Sequence, residues 1–463
     1  MRPSFSPSDG GGGPAAAGLF DGVLARGAVP ALVGDHAVLQ AMLRAEAALA
    51  TAQAQVGLMP SAHAEAITAA CRAEHFDPSA IGRQAAESGN PVVPLVRALT
   101  GVVRDGAGED AAGWVHHGAT SQDVLDTAMV LVTRAALQTI TRDLQDAAAT
   151  AADLVRGHAT TLMPGRTLLQ QALPITFGLK AAGWLVALDE AAAALATTAD
   201  QLPAQLGGAA GTLASLERHG TAVLGAYAEV LELAEPVLPW HTARLPIASA
   251  ATAAGAAAGL IGKVALDVVL LAQTEVAEVT EDAAGRGGSS TMPHKRNPVA
   301  AVAAIAGARR TPGLVATLLA AMPQEHERAA GSWHAEWAPL RELLVATGSA
   351  AAWLAECLRS LRVDPERMRA DVELTGGLLL AERVTTALRS TLGRLRAHDV
   401  VETACRRAAS RQRPLLDELL DTPPVVEALG AERVRTLLDP AGYLGSTQEF
   451  IERALQRHTK ELL

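Results

Sequence analysis

Ile261, Val264, Ala265, Val268, Val269, Ala272, Val276 and Val279 recur at steps of three and four, the spacing of one buried helix face. The pattern predicts a long helix over 249–281, stopped by Gly285-Arg286-Gly287-Gly288, because glycines forfeit helix propensity and admit unusual backbone angles. An amphipathic helix is expected from Asp35, placed as its N-cap, with Val38, Met42, Ala45 and Leu49 at helical steps and an end near Gly57. Helical pieces follow over 64–74 and 91–100, and 101–113 reads as loop. Further long helices are expected from Thr120 to about His158, over 181–199, and from Pro312 to about Pro323. Past Val363-Asp364-Pro365 the pieces shorten, with Gly376-Gly377 and Pro423-Pro424 as breaks. The sum is an all-α chain. Its expected parts are a disordered tail (1–18), an N-terminal helical domain (19–112), a central helical bundle (113–360) and a small C-terminal helical domain (361–463).

Composition narrows this picture. A chain of 463 residues can bury a large core and should hold two or three domains. Lys and Arg number 39 against 49 Asp and Glu, so there is no basic footprint and no nucleic-acid partner is expected. The residues are 49% apolar but only 3% aromatic, and alanine with leucine and valine favours close-packed helices over sheet. Cys71, Cys357 and Cys405 lie far apart without metal-type pairing, which fits a reduced, cytoplasmic protein with no metal site. The first residues lack an apolar h-region, and interrupted alanine-rich stretches such as 248–262 do not read as membrane spans, so no membrane partner is expected.

The densest chemistry lies at 287–298, Gly-Gly-Ser-Ser-Thr-Met-Pro-His-Lys-Arg-Asn-Pro. A glycine-hinged polar loop loaded with hydroxyls, an imidazole, an ammonium and a guanidinium suits a lid that brings a catalytic group to a bound anion. A second polar word, Trp114 to Asp123, opens a helix. Thr120, Ser121 and Asp123 are the types that cap a helix, and the same hydroxyls with free N–H groups make a carboxylate site; the two readings are compatible. Arg166 and Gln170 stand four apart and would share a face if helical. In 324–337, Arg328 is the residue suited to fix a di- or tricarboxylate. The glycine-rich stretch 206–212 has no P-loop lysine context and reads as a close-packed bend.

The loop resembles, almost letter for letter, the Gly-Ser-Ser-x-Met-Pro-x-Lys-x-Asn signature of the fumarase/aspartase superfamily. The words around His116-x-Gly-Ala-Thr-Ser-Gln-Asp and Gly165-Arg166-Thr167 resemble two further motifs of that family. The resemblance implies a three-domain subunit with a central long-helix bundle, a homotetramer whose sites are each shared between subunits, and no metal or organic cofactor. It implies Ser289 as catalytic base, with Lys295 and His116 as further catalytic groups. Thr120, Ser121, Gln122, Arg166, Gln170, Asn297, Arg296 and Arg328 would bind the substrate. Leu168 stands where fumarases and adenylosuccinate lyases carry a proton-transferring histidine, and an apolar side chain cannot move a proton. That departure, with 169–180, 239–242, 324–328, 333–337 and 443–446, is similar to bacterial 3-carboxy-cis,cis-muconate cycloisomerases. The implied reaction joins 3-carboxy-cis,cis-muconate and 4-carboxymuconolactone by addition or β-elimination of a carboxylate. The alternative is a lyase releasing fumarate from another succinate derivative, of nitrosuccinate or adenylosuccinate type. Arg244 is followed by Leu245 where the pattern has aspartate, and it carries no assigned role.

Overall fold

The computed structural model describes residues 18–283, 285–288, 291, 292 and 294–461. The expected tail, Gly18 apart, lies outside them, as do Ser289, Ser290 and Pro293 of the polar loop. The centre is a bundle of the long helices Ser121–Gly157, Phe177–Asp200, Leu245–Leu271, Val299–Ala320 and Ser332–Arg359. Small residues let these helices approach closely: Ala250, Ala251, Ala254, Ala258 and Ala265 of one, and Ala300, Ala301 and Ala304 of another, are fully buried. The fold is all-α. The strands among the described residues form two short antiparallel ladders, Leu162–Thr167 with Gln170–Thr176 and Val279–Glu281 with Leu361–Val363.

One continuous hydrophobic core runs from Val29 through the bundle to Met368, and it includes the Asp35–Gln55 helix. A separate core, built on Val384, Leu388, Val401, Leu415, Leu419 and Val434, holds the short C-terminal helices together. The last helix, Thr447–Glu461, returns to the bundle: Ile451 and Ala454 join the main core, and His458 pairs with buried Asp189 at 3.0 Å. Leu245–Leu271 is the one helix among the described residues long and apolar enough to cross a membrane, although the sequence showed no such run. Here it is a bundle helix, its Ile261, Val264 and Val268 fully buried against its neighbours.

Three expectations about elements are corrected. The helix expected to run to 281 ends at Leu271; Ala277 takes a left-handed φ of 53°, and Val279–Glu281 pairs as a strand instead. The apolar steps at Val276 and Val279 therefore belong to a turn and a strand, whose β-branched residues suit the ladder. The loop expected over 101–113 is mostly helix: Val92–Ala107 continues through Gly101 because Leu95, Leu99 and Val103 keep one face buried, and Glu109–Ala112 follows. The first long helix is N-capped by Gly34, with Asp35 as its first residue.

Candidate active site

The central helix Ser121–Gly157 has 37 residues, which at about 1.5 Å each separates its ends by about 55 Å. The polar words of the sequence gather at these two ends.

At the N-terminal end, the residue before the helix is Thr120, extended at φ −124°, and its backbone N–H donates to the Asp123 carboxylate at 2.9 Å. Asp123 also accepts from the N–H groups of Gly207 and Gly208, both at 2.9 Å, and lies 2.6 Å from His241 Nε2. The glycine-rich bend is therefore stitched to the helix start. Close approach requires glycine here: a Cβ on Gly118, at φ 78°, would meet Leu216 Cδ2 at 2.3 Å. Thr120 and Ser121 remain partly exposed at this end, where free helix N–H groups and the dipole favour an anion.

Gln122 is fully buried. Its amide donates to the His241 carbonyl at 2.8 Å and to Asp126 at 3.2 Å, and its oxygen accepts from Arg328 Nη1 at 3.3 Å. Arg328 also donates to the Gly208 and Ala209 carbonyls at 3.2 and 2.8 Å. In this chain, then, Gln122 and Arg328 brace the bend behind the hydroxyls. His116 adopts φ 60° and sets its Nδ1 2.6 Å from Glu46 Oε1. Burial alone would lower the His116 pKa, but the charge and hydrogen bond of Glu46, with the charge of Asp123, raise it above the ordinary histidine value.

Beneath lies a buried ion network absent from the sequence reading. Arg244 donates to Asp126 at 2.7 and 3.0 Å and to Glu336 at 2.6 and 3.0 Å, and its guanidinium lies 4.8 Å from the Trp240 ring centroid. Trp333 Nε1 and Gln205 Nε2 complete the shell of Asp126 at 2.9 and 3.3 Å. Burial raises the Glu336 carboxyl, against the opposing pull of Arg244.

The other end carries Arg166, Gln170 and the polar loop. Residues 166–170 are not helical: they form a hairpin whose two-residue turn, Leu168-Leu169, has φ 51° and 65°, the left-handed pair that matches the twist of the flanking strands. Arg166 stands opposite Gln171, and Thr167 opposite Gln170, so the expected shared face of Arg166 and Gln170 does not exist. Arg166 makes a two-pronged pair with fully buried Glu278, both contacts at 2.8 Å, and sits 3.8 Å from Asp371. Burial and the neighbouring Asp371 raise Glu278, while Arg166 opposes the shift. Gln170 is exposed, and Leu168 and Leu169 are 96% and 74% exposed at the tip.

The neck of the loop is closed. Asn297 donates from its backbone N–H at 2.9 Å and its amide at 3.3 Å to the Gly287 carbonyl, and Gly288 bridges Arg296. Arg286 anchors this neck to Glu356 at 2.6 Å. Lys295 and Arg296 are exposed, and Ser289, the expected base, lies outside the described residues.

One chain thus groups His116, Thr120, Ser121, Gln122 and Arg328 at one end of the bundle, and Arg166, Gln170, Lys295, Arg296 and Asn297 at the other. Of the carboxylates behind the first group, Asp126 and Glu336 lie beside or within polar words of the sequence, at 120–123 and 333–337. Glu46 instead sits on a helix face with no polar motif around it, and its trace there is a charge at a position the apolar pattern would bury.

A bundle of long helices carries an anion-receptive helix start at one end and a glycine-necked cationic loop at the other, and the chain belongs to the fumarase/aspartase superfamily of lyases. A family model described as "Lyase" matches residues 29–313, and one described as "Adenylosuccinate lyase C-terminus" matches 377–454. The chain is 47% identical to a 3-carboxy-cis,cis-muconate cycloisomerase of Pseudomonas aeruginosa over 95% of its own length and 96% of that protein. It is 46% identical to a nitrosuccinate lyase of Streptomyces davaonensis, covering 95% of this chain and 94% of that one. The crystal structure of the 3-carboxy-cis,cis-muconate lactonizing enzyme from Pseudomonas putida superposes with a TM-score of 0.90 at 43% identity, covering 96% of this chain and all of that one.

Proposed function

We propose that the enzyme interconverts 3-carboxy-cis,cis-muconate and its γ-lactone, as a cytoplasmic homotetramer whose sites each draw on more than one subunit. On closing the ring, a substrate carboxylate oxygen forms a C–O bond to one carbon of a C=C, and a proton is added to the carbon α to another carboxylate. In reverse, the α-proton goes to the base and the C–O bond breaks, its electron pair leaving with the carboxylate. Negative charge builds on the α-carboxylate as an enediolate, and preorganised donors stabilise it, each contributing about 3–4 kcal/mol. Thr120, Ser121, the free helix N–H groups, Lys295 and Asn297 supply those donors. Ser289 carries the proton, its alkoxide favoured by the cationic pair Lys295 and Arg296.

One observation carries the reaction class: Leu168, at the hairpin tip, stands where the family resemblance implies a proton-transferring histidine in fumarases and adenylosuccinate lyases. Hydroxide, amine or amide leaving groups need a proton as they depart. A carboxylate does not, because its conjugate acid has a pKa of only about 4. An apolar residue at this position suits a leaving group that departs as a stable anion. Nitrite is another such group. The 46% identity to the nitrosuccinate lyase therefore supports a second reading, elimination from nitrosuccinate with release of fumarate.

The deciding experiment follows the ultraviolet absorbance of 3-carboxy-cis,cis-muconate with the purified enzyme and with Ser289→Ala. The expected result is rapid consumption that the substitution slows by at least about a thousandfold. Consumption unaffected by the substitution would keep the reaction and remove Ser289 from it. If the native enzyme leaves the muconate untouched but releases fumarate from nitrosuccinate, the second reading replaces the first.

A further inference from the structure

Glu46 belongs to none of the words that carry the site. It lies on the inward face of the Asp35–Gln55 helix and is 1% exposed. A carboxylate in that position must be compensated. His116 Nδ1, 2.6 Å from Oε1, provides the compensation, while Oε2 is buried and has no hydrogen-bond partner among the described residues. The same helix reaches the next residue as well, since Gln53 Nε2 donates to the His117 carbonyl at 2.7 Å. Glu46 and Gln53 stand seven apart, two turns along one face, so one rigid element grips both halves of the 116–117 turn. That grip explains how His116 is held at φ 60°, a left-handed conformation disfavoured for a residue with a Cβ.

A carboxylate on Nδ1 fixes the tautomer. Nδ1 keeps its hydrogen, and Nε2 is the nitrogen left for a ligand. Among the described residues Nε2 takes no hydrogen bond, and the side chain keeps 18% of its surface exposed. The turn Ala119 N–H to His116 carbonyl, 3.3 Å, then leads directly into Thr120 and Ser121.

We propose that Glu46 is a positioning residue of the active site, one that orients His116 so that its Nε2–H, beside Thr120 and Ser121, holds a carboxylate of the substrate. The identity of that carboxylate rests on the cycloisomerase reading; the dyad itself does not. The charged groups acting on the ring are Glu46 from the Asp35–Gln55 helix and Asp123 from the first turn of the central helix, and Asp123 is already paired with His241. Both favour the imidazolium, which keeps the anchor cationic at pH values where a free histidine is neutral.

The test compares the full-length enzyme with Glu46→Gln, Glu46→Asp and His116→Ala. Isotope-labelled histidine NMR, without substrate, follows the ring that disappears in His116→Ala. In the native protein that ring is expected to titrate above the ordinary histidine range. In Glu46→Gln its proton affinity should fall by about tenfold, one pH unit, with Glu46→Asp between the two. In assays with 3-carboxy-cis,cis-muconate, KM for Glu46→Gln should rise about tenfold near pH 8 and converge on the native value near pH 6, with kcat within a few-fold. In the His116→Ala background, Glu46→Gln should add nothing further. A His116 titration that ignores Glu46→Gln overturns the proposal. So does a KM defect of equal size at both pH values, or one that persists without His116. Absence of turnover by the native enzyme would reject the cycloisomerase reading, and the NMR titration would still decide the dyad.

Discussion

Arg244 holds Asp126 and Glu336 together from both sides, and it is 2% exposed. Removing one member of such a set strands the others as buried like charges, at a cost of about 3–5 kcal/mol. Arg244→Met, which keeps the volume of the stem, should therefore lower stability by that amount in urea unfolding near neutral pH. The sign of its pH dependence follows from Glu336, whose carboxyl burial raises. A carboxyl raised in the fold binds its proton more tightly there than in the unfolded chain, so stability is lost as pH rises through that range and regained as pH falls. Without Arg244 the rise is larger, and the deficit of Arg244→Met should shrink between pH 8 and pH 5. A deficit that grows on acidification would mean that the carboxylates find another cation. The sequence left Arg244 unassigned because Leu245 follows it in place of an aspartate, and its actual partners are 118 and 92 residues away. No local pattern announces such a pairing.

Elements were legible where periodicity was long and failed where it was short. The central helix, expected from Thr120 to about His158, is Ser121–Gly157, because its apolar face and capping residues point the same way. The hairpin was missed because two leucines occupy turn positions normally given to Asn and Gly, and a six-residue strand leaves too little pattern to outvote a helical i, i+4 reading. Each left-handed leucine costs about 1–2 kcal/mol, and both side chains face solvent in the single chain. Strain combined with exposed apolar surface fits the proposed shared site, in which this tip contacts a second chain. Replacing Leu168-Leu169 by Asn-Gly should accordingly raise thermal stability by about 1–2 kcal/mol in the dissociated chain. Under that proposal it should also depress kcat/KM by about tenfold or more. Equal activity in the variant would free the tip from any part in the reaction. The glycines of the loop neck do take the positive φ that the sequence suggested, 74° at Gly285 and 82° at Gly287, but closure of the neck by Asn297 on Gly287 was not legible, since backbone pairing leaves no compositional mark.

At the scale of the molecule, the proposed sharing of sites rests on the separation of the motifs. His116, Thr120 and Ser121 lie at one end of the central helix and the neck of the polar loop at the other, about 55 Å of helix apart. The exposed stripe on Leu245–Leu271 runs through Ser249, Thr252, Ala256, Gly259, Lys263 and Leu266 at helical spacing, mostly small residues with Lys263 paired to Asp267, and Val302 of the Val299–Ala320 helix is 52% exposed. Such a stripe suits antiparallel packing against a second copy, which would bring opposite ends of two bundles together. The sequence names the residues of the proposed site but not their distribution, because spacing along a chain says nothing about which end of a bundle a residue reaches. A mixing experiment reads the distribution directly. Ser289→Ala and Thr120→Ala, purified separately, should each be nearly inactive. Unfolded together and refolded at equal amounts, they form random assemblies in which each chain carries one defect. If every site takes its loop and its helix start from different chains, about a quarter of the sites receive two intact contributions, and about a quarter of native activity returns. If each site lay within one chain, every site would keep a defect and no activity would return. Recovery should also vanish on dilution below the assembly concentration, in step with the mass measured by light scattering.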